Sequence, residues 1–349
     1  MDTEVNKIMV SVIMSVHNGA TYLKEAIDSV LNQTFSNFEY IIINDASSDR
    51  THDIIKTYTD ERINYIINPE NLGLTKSLNK AISMAQGKYI ARMDADDICQ
   101  PDRLSEQVLY MESNSDIGIC GTNFEVIGKK KRSHFPLDHE TINIKLFQGI
   151  NPLAHPSVII RKELFIDKKI FYDENIKYAQ DYKLWVDAVK HIKLANISDI
   201  LLKYRIHNNQ ISASKNKEQK QVVEFICIEQ VKELMPSISD NEINTHLNFI
   251  HEKKIIDIAC IDSIQNWAYK LIRRNRQVNK YDLAIFEKEI IFILKRIKME
   301  FFTHKYLRAT SYYPSMLRLY LSPRYNMYKY YSLKVGLIFV VKCVIRYKK

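Results

Sequence analysis

The sequence predicts an α/β protein in which a three-layer domain with a mostly parallel sheet is followed by a region of helices. Three observations lead to this prediction. Short apolar segments rich in β-branched residues alternate with segments of helical periodicity over the first half of the chain. A cluster of acidic residues follows the fourth apolar segment, where parallel sheets bind ligands. Beyond about residue 215 the helical periodicity continues without strand signals.

The first two predicted strands are segments 9–16 (MVSVIMSV) and 39–45 (EYIIIND). The first is a nearly continuous apolar run, which is typical of a parallel strand covered on both faces. Between the two strands, apolar residues recur at intervals of three and four, which predicts an amphipathic helix. The residues of this stripe are Leu23, Ala26, Ile27, Val30 and Leu31.

Segments 63–68 (INYIIN) and 88–93 (KYIARM) predict the third and fourth strands. A helical pattern precedes each of them, and we expect Thr75 to cap the second of these helices. Strands that alternate with helices of this length favour a parallel sheet with helices on both faces.

The remainder of the chain predicts helices, and we place the boundary near Ser214. The predicted division is an α/β domain at 1–214 and a helical C-terminal region at 215–349. The clearest helical segment is "YDLAIFEKEIIFILKRIKMEFF", in which one face is apolar. The residues of that face are Phe286, Ile290, Ile293, Leu294, Ile297 and Phe301.

Composition and charge narrow the class of protein. The chain has 349 residues, of which 46% are hydrophobic and 26% charged, as is ordinary for a soluble protein. Its five cysteines are scattered, which argues against a disulfide framework or a zinc site. The first seven residues are polar, so we expect no signal peptide. Residues 301–349 hold ten of the 50 basic residues and none of the 41 acidic ones, so the net charge of +9 comes from this tail.

Three carboxylates, those of Asp94, Asp96 and Asp97, lie within four residues at the end of the fourth predicted strand. Like charges so close repel, so we expect a cation beside them. Oxygen ligands of this kind suit Mg²⁺ or Mn²⁺, usually shared with substrate phosphates. The alternative is a polar strand-to-loop turn, in which Asp is common. The surrounding residues do not match a calcium EF-hand, a GxGxxG fingerprint or a P-loop.

Four ordered segments resemble glycosyltransferase family 2, and together they cover about residues 8–211. They are "VSVIMSVHNGATYLKEAIDSVLNQTF", "YIIINDASSDRTHDII", "NPENLGLTKSLNKAISMAQGKYIARMDADDICQPDRL" and "AQDYKLW". The resemblance implies the GT-A fold and the transfer of a sugar, with inversion, from a nucleotide-sugar donor to an acceptor.

The resemblance also implies a nucleotide-binding site. Ser15 and His17 would line the pocket of the base, and Asp45 would hydrogen-bond the base, which is usually uracil. Lys76 would approach the diphosphate. Asp94, the first acid of the DxD motif, would lie nearer the ribose.

For metal binding and catalysis the resemblance implies three further residues. Asp96 would bind Mn²⁺ or Mg²⁺ directly, and His207 in "YRIHNNQIS" would complete the metal shell. Asp181 in "AQDYKLW" occupies the position of the catalytic base. A carboxylate suits this role because the acceptor hydroxyl must lose a proton. The alternatives are a favourable charge at a helix N-terminus for Asp181 and an ordinary surface histidine for His207.

Two nearby residues have open roles. Arg92, which alternates with apolar neighbours on the fourth strand, is placed to pair with an Asp of the cluster. His155 in "NPLAHPSVIIRK" belongs either to the acceptor wall or to a structural loop.

The basic, Tyr-rich tail suggests an anionic partner. Segment 333–349 is too short and too charged to span a membrane, but its apolar and basic residues suit the surface of an anionic membrane. The alternative is a final helix packed on the domain. Nucleic acid is not an expected partner, because its binding would not explain the first 210 residues.

The resulting prediction is a cytoplasmic enzyme, peripheral on the inner face of the cell membrane, that extends a glycan or lipid-linked oligosaccharide for capsule or lipopolysaccharide. Homo-oligomerisation stays open. The competing classes are a nucleotidyltransferase that makes the sugar nucleotide and a non-catalytic scaffold. The missing glycine-rich loop after the first strand argues against the former, and intact Asp94, Asp96 and Asp181 argue against the latter.

Overall fold

A computed structural model describes residues 7–207, 210, 215–251, 258–302, 314–323 and 333–345. The chain forms two compact units. The first comprises residues 1–146 and 150–226, and the second comprises residues 147–149 and 227–349. Ser214, where we predict the domain boundary, lies outside the described residues.

The first unit is built on one mixed sheet of eight strands within the described residues. The strands are β1 (Val10–Val16), β2 (Phe38–Asn44), β3 (Ile63–Ile67), β4 (Tyr89–Arg92), β5 (Ile98–Cys99), β6 (Ile117–Val126), β7 (Ile159–Arg161) and β8 (Lys193–Tyr204). Their order in the sheet is β3-β2-β1-β4-β7-β6-β8-β5.

Most strands of the sheet run in one direction. β1 pairs in parallel with β2 and β4, and β2 pairs in parallel with β3. β7 is antiparallel to both β4 and β6, so β4 and β6 point the same way, and β8 is parallel to β6. The ends of β1, β2, β3, β4, β6 and β8 therefore lie at one edge of the sheet, which we call the carboxyl edge. The predicted α/β fold class is confirmed.

Helices cover the sheet of the first unit. They are α1 (Leu23–Leu31), α2 (Thr51–Lys56), α3 (Leu74–Met84), α4 (Arg103–Ser113), α5 (His139–Phe147), α6 (Lys162–Asp167) and α7 (Gln180–Ala188), with a 3₁₀ turn at His155–Ser157. The predicted stripe of α1 is buried at Leu23, Ala26, Ile27 and Val30. Thr75 is not the cap of α3, because that helix begins one residue earlier and its N-cap is Gly73.

The core of the first unit lies between the sheet and these helices. Ile13 of β1 and Ile41 and Ile42 of β2 are fully buried. Burial of each such side chain contributes about 1.5–3 kcal/mol. This packing explains why β1 and β2 read as nearly continuous apolar segments, and it gives the carboxyl edge a rigid support.

The second unit is helical over the residues that the structure describes. The helices that follow α7 are α8 (Asn216–Leu234), within which the boundary between units falls, α9 (Asp240–Ile250), α10 (Ile258–Val278), α11 (Leu283–Phe302), α12 (Pro314–Leu321) and α13 (Leu333–Val344). The predicted apolar face of α11 is buried. Among the described helices, none is long and apolar enough to cross a membrane.

Candidate active site

Three carboxylates form an acidic cluster just beyond the end of β4. One oxygen from each of Asp94, Asp96 and Asp97 lies within 4.8 Å of the others. Burial raises the pKa of Asp94 to about 6, although the Arg92 guanidinium opposes this rise. Burial and the neighbouring carboxylates of Asp94 and Asp96 also raise the pKa of Asp97 well above its usual range. The positive charge next to the cluster is therefore not enough to compensate its three carboxylates.

Arg92 supplies one cation to the acidic cluster. It is the last residue of β4, it is only 2% exposed, and its guanidinium forms an ion pair with Asp94. The expected pairing of Arg92 with an Asp of the cluster is confirmed. Its Nε atom is buried and has no hydrogen-bond partner among the described atoms.

The segment after β8 approaches the acidic cluster from the other side. His207 Nε2 lies 2.9 Å from Asp96 Oδ2. The backbone N–H of Arg205 donates to Asp97 Oδ1 at 2.8 Å, and its Nε donates to the backbone carbonyl of Asp96 at 2.8 Å. The sequence pattern singled out His207 but missed Arg205, whose signal was a cation two residues from the chosen histidine.

Arg205 also fixes this segment to the start of α1. Its guanidinium lies 4.3 Å from the centre of the Tyr22 ring, and its Nη2 donates to Glu25 Oε2 at 2.6 Å. The His207 ring lies 5.1 Å from the same Tyr22 ring. Cation–π and ion-pair contacts therefore hold the residues that close the acidic cluster.

The residues of the cluster fit a divalent cation. Carboxylate oxygens and one imidazole nitrogen form a donor set that Mn²⁺ and Mg²⁺ accept. Asp97 Oδ2 is buried without a hydrogen-bond partner among the described atoms, and such an oxygen is costly unless something satisfies it. The 2.9 Å between Asp96 and His207 is also a normal separation for two neighbouring ligands of one ion.

Asp181 lies in the first turn of α7, after Ala179, whose φ of 55° turns the chain into the helix. Its Oδ2 accepts a hydrogen bond from the Asn151 side-chain amide at 2.6 Å. Burial raises the pKa of Asp181, while the Tyr182 backbone N–H and the Asn151 amide act to lower it. No sequence pattern indicated Asn151, because it lies 30 residues from Asp181 in an irregular segment.

His155 lies in the 3₁₀ turn and packs beside other aromatic side chains. Its Nε2 lies 2.6 Å from the Tyr172 hydroxyl oxygen, and its ring meets the Trp185 ring edge-on. Burial and the nearby Arg92 guanidinium hold the pKa of His155 well below its usual range. The imidazole is therefore neutral at physiological pH and does not add a charge to the site.

At the end of β2, Asp45 joins the strand to the loop before α3. It is 2% exposed, and its Oδ1 accepts from the Asn68 amide and the Leu72 N–H at 2.8 and 2.9 Å. Its Oδ2 accepts from the N–H of Gly73, whose φ is 86°, at 2.8 Å. Lys80 donates to Asn68 Oδ1 at 2.8 Å and extends this network. Asp45 thereby stabilises the loop, and its predicted contact with a base stays a prediction.

His17 follows β1 and is exposed, but two hydrogen bonds orient its ring. Its Nδ1 donates to the Asp45 carbonyl at 2.8 Å, and its Nε2 accepts from the Asn18 amide at 3.2 Å. Ser15 lies on β1 opposite Ile43 of β2. The structure therefore brings Ser15, His17 and Asp45 together at the ends of two neighbouring strands.

Lys76 lies in the first turn of α3 with its side chain exposed, and its predicted contact with a diphosphate stays a prediction. The structure brings Asp94, Asp96 and His207 together at the acidic cluster. Asp181 lies in the first turn of α7, in the same unit. Its negative charge raises the pKa of Asp94.

Comparisons with known proteins identify relatives of this chain. The family model described as "Glycosyl transferase family 2" matches residues 11–167. An uncharacterized glycosyltransferase of Haemophilus influenzae is 34% identical over 267 residues, which cover 73% of this chain and 81% of the relative. The O-antigen biosynthesis glycosyltransferase WbnJ of Escherichia coli is 37% identical over 216 residues, which cover 59% of this chain and 83% of the relative.

Solved structures share the fold at low sequence identity. S. aureus TarS in complex with UDP-GlcNAc superposes with a TM-score of 0.56 and 16% identity, covering 96% of this chain and 92% of that one. The mannosyltransferase PcManGT from Pyrobaculum calidifontis, in complex with GDP-Man and Mn²⁺, has a TM-score of 0.52 and 13% identity, covering 96% and 86%. At these identities the likeness shows the fold alone.

A parallel-dominated sheet with a carboxylate cluster at its carboxyl edge, together with these relatives, defines an enzyme of the glycosyltransferase class. The chain belongs to glycosyltransferase family 2, as the four sequence segments predicted.

Proposed function

We propose that the enzyme transfers a hexose from a UDP-sugar to a glycan or lipid-linked oligosaccharide, with inversion at the sugar carbon. The observation that carries the proposal is the pairing of a three-carboxylate cluster with a separate carboxylate, Asp181, in one unit. The first group suits a metal–diphosphate complex, and the second suits removal of a proton.

The nucleotide of the donor would lie over the ends of β1 and β2. The oriented ring of His17 offers a face on which a base can stack, and Ser15 and Asp45 lie beside it. Lys76 and Asp94 would contact the diphosphate and the ribose. The TarS complex with UDP-GlcNAc supports a UDP-sugar, since that protein shares the fold.

Asp96 and His207 would hold Mn²⁺ or Mg²⁺. The Mn²⁺ in PcManGT, which shares the fold, supports the presence of a divalent metal. When bound, such an ion stabilises the negative charge that develops on the departing diphosphate. Arg92 keeps Asp94 ionised, and Arg205 holds the His207 segment against the cluster.

Asp181 would act as the general base. The acceptor O–H bond breaks and its proton passes to an Asp181 oxygen, while the acceptor oxygen forms a bond to the anomeric carbon of the donor sugar. The bond between that carbon and the diphosphate oxygen breaks, and the diphosphate leaves with the electron pair. Because the pKa of Asp181 is raised by burial, its carboxylate is a stronger base than an exposed aspartate.

The WbnJ likeness supports a role in surface polysaccharide synthesis, such as lipopolysaccharide or capsule. We place the enzyme on the cytoplasmic face of the membrane, because the basic tail carries an exposed apolar helix face. The exposed residues that form this face are Leu337, Ile338, Val341 and Val344 of α13, with Ile345 directly after it. The same face would also suit a second copy of the chain.

Membrane association is tested on the full chain carrying Leu337→Ser and Val341→Ser. We expect weaker sedimentation with anionic vesicles than for the wild type, and unchanged sedimentation would refute association through α13. If the wild type forms a dimer and the variant forms one only at higher protein concentration, this face would instead serve homo-oligomerisation.

The donor site is tested by calorimetric titration of UDP, with GDP and TDP as controls, in Mn²⁺ and in EDTA. We expect metal-dependent UDP binding that Asp96→Ala abolishes. Asp102→Ala, which removes an exposed carboxylate of the same segment, should bind like the wild type. If no nucleotide binds, the donor site is wrong and a non-catalytic scaffold is the better description.

A further inference from the structure

Residues 127–132 (IGKKKR) form the turn of a hairpin that follows β6, and we call them the basic hairpin. The Val126 N–H donates to the Lys131 carbonyl at 2.8 Å, and the Lys129 N–H donates to the Val126 carbonyl at 3.1 Å. Gly128, with a φ of 73°, adopts the left-handed conformation that closes the turn. The backbone therefore holds four consecutive basic residues at an exposed tip.

The basic hairpin carries little compensating negative charge. Lys129, Lys130 and Lys131 are exposed and form no ion pair within the described part of the chain. Arg132 contacts Glu125, but at 3.7 Å and with 62% of its side chain exposed, so this pair is weak. Several surface lysines elsewhere in this unit do have carboxylate partners. Examples are Lys24, Lys88, Lys183 and Lys193.

Backbone contacts connect the basic hairpin to the segment that closes the acidic cluster. The Ile127 N–H donates to the Tyr204 carbonyl at 2.9 Å. The next residue of that segment is Arg205, whose N–H donates to Asp97. The hairpin is therefore fixed at the carboxyl edge, beside the segment that reaches the proposed metal ligands.

In the strand order, the basic hairpin and the proposed nucleotide site lie on opposite sides of β4. β1 and β2, which carry Ser15, His17 and Asp45, lie on one side of β4. β6, which the hairpin follows, and β8, to which the hairpin is hydrogen-bonded, lie on the other side. Arg205 and His207 bring the end of β8 back to the acidic cluster and to the start of α1, so the hairpin lies beside the segment that closes the cluster. The proposed donor contacts include no residue of the hairpin, and we therefore assign an anion held there to the other substrate.

We propose that the basic hairpin binds a phosphate group of the acceptor, namely the diphosphate that links the growing glycan to its lipid carrier. This inference rests on the proposed function. Lysine ammonium groups act as flexible point charges, so they suit a mobile diphosphate better than a rigid planar ligand. A bilayer surface is less suitable, because the tip lacks the large exposed apolar side chains that interfacial binding uses.

The test uses the full chain and geranyl diphosphate as a soluble probe, titrated by calorimetry with UDP and Mn²⁺ saturating so that the donor site is filled. The variant carries Lys129→Gln, Lys130→Gln and Lys131→Gln. Loss of three exposed charge contacts should weaken binding of the probe by about tenfold, and higher salt should reduce the difference. The affinity for UDP should not change.

The matched control carries Lys168→Gln, Lys288→Gln and Lys295→Gln, which remove the same charge from three other exposed lysines. It should bind geranyl diphosphate within about twofold of the wild type, because these lysines are not part of the basic hairpin and the effect of net charge alone is screened by salt. Equal weakening in both variants would overturn the proposal, since the effect would then be one of net charge. Unchanged binding in the hairpin variant would overturn it as well.

A second arm uses sedimentation with phosphatidylglycerol vesicles. If the hairpin variant loses vesicle binding but keeps its affinity for geranyl diphosphate, the hairpin contacts the bilayer and the proposal is wrong. Failure of the wild type to bind UDP would count against the proposed donor site instead. The probe titration without UDP would still decide the role of the hairpin.

Discussion

The first unit contains the acidic cluster of three carboxylates and, separately, the single carboxylate of Asp181. The surroundings of the two differ. Burial raises the pKa of Asp94, Asp97 and Asp181 alike. In the cluster, neighbouring carboxylates add to this rise, and the Arg92 guanidinium and the Arg205 backbone N–H oppose it only in part. Asp181 instead receives hydrogen bonds from neutral donors, the Asn151 amide and a backbone N–H.

This difference supports the proposed assignment of the cluster as a cation site and of Asp181 as the base. Carboxylates that repel one another gain most from a shared divalent ion, because one ion neutralises several charges. A single buried carboxylate held by neutral donors keeps its place while it gains a proton. The substitutions below test whether the two groups are as distinct as their contacts indicate.

The largest effect is expected for Asp181→Asn. Removal of the base should lower kcat by about 10²–10⁴-fold, while calorimetric UDP binding is retained. Asp187→Asn, on the same helix, removes a carboxylate that pairs with Lys183 and should leave kcat nearly unchanged. Full activity of Asp181→Asn would assign proton removal to another group.

Arg92→Met should lower the free energy of unfolding by about 3–5 kcal/mol, since it leaves the Asp94 carboxylate without its buried partner. Denaturant unfolding measures this change. Adding Asp94→Asn should restore most of the lost stability, because the uncompensated charge is then removed. If the double variant is no more stable than the single one, Arg92 stabilises the fold through contacts other than this ion pair.

Asn151→Ala removes a donor that favours the ionised form of Asp181, so the pKa of Asp181 should rise further. A general base acts when deprotonated, so activity is present above this pKa and is lost as pH falls through it. The acid limb of kcat/KM should therefore move to higher pH. The pH profile measures the shift, with the exposed Asn175→Ala as control. A lower kcat with an unmoved limb would mean that Asn151 does not act through the ionisation of Asp181.

The smallest effect is expected for Arg205→Gln, which weakens the attachment of the His207 segment to α1. The donor KM should rise about threefold, because exposed ion pairs contribute less than about 1 kcal/mol. Glu25→Gln removes the ion pair but keeps the contact of Arg205 with the Tyr22 ring, so it should raise KM less. If Glu25→Gln has the larger effect, Glu25 has a role beyond holding Arg205.

Local patterns predicted the parts of the fold that local periodicity encodes. The strands β1 to β4, the buried stripe of α1 and the acidic cluster at the carboxyl edge all follow from residues close in sequence. β7 was not predicted, because three residues are too few to show a period. Its antiparallel direction also depends on pairing with β4 and β6.

Contacts over long sequence separations explain what the sequence pattern missed. Thr75 was predicted to cap α3, but the backbone N–H groups of Leu72 and Gly73 instead donate to Asp45, which lies far upstream. The contact of Asn151 with Asp181 spans 30 residues, and that of Arg205 with Asp96 spans 109. No local spacing rule encodes such pairs, since the folded sheet alone brings them together.

The late position of β8 in the chain has a consequence for biosynthesis. His207 meets Asp96 across 111 residues, and β5, which directly follows the acidic cluster, pairs with β8. When a nascent chain has left the ribosome only as far as α7, the segment that closes over the acidic cluster has not yet emerged. Contacts this distant in sequence form slowly. On the proposed assignment of Asp96 and His207 as metal ligands, metal-dependent nucleotide binding would require this segment to have docked, and it would report that docking.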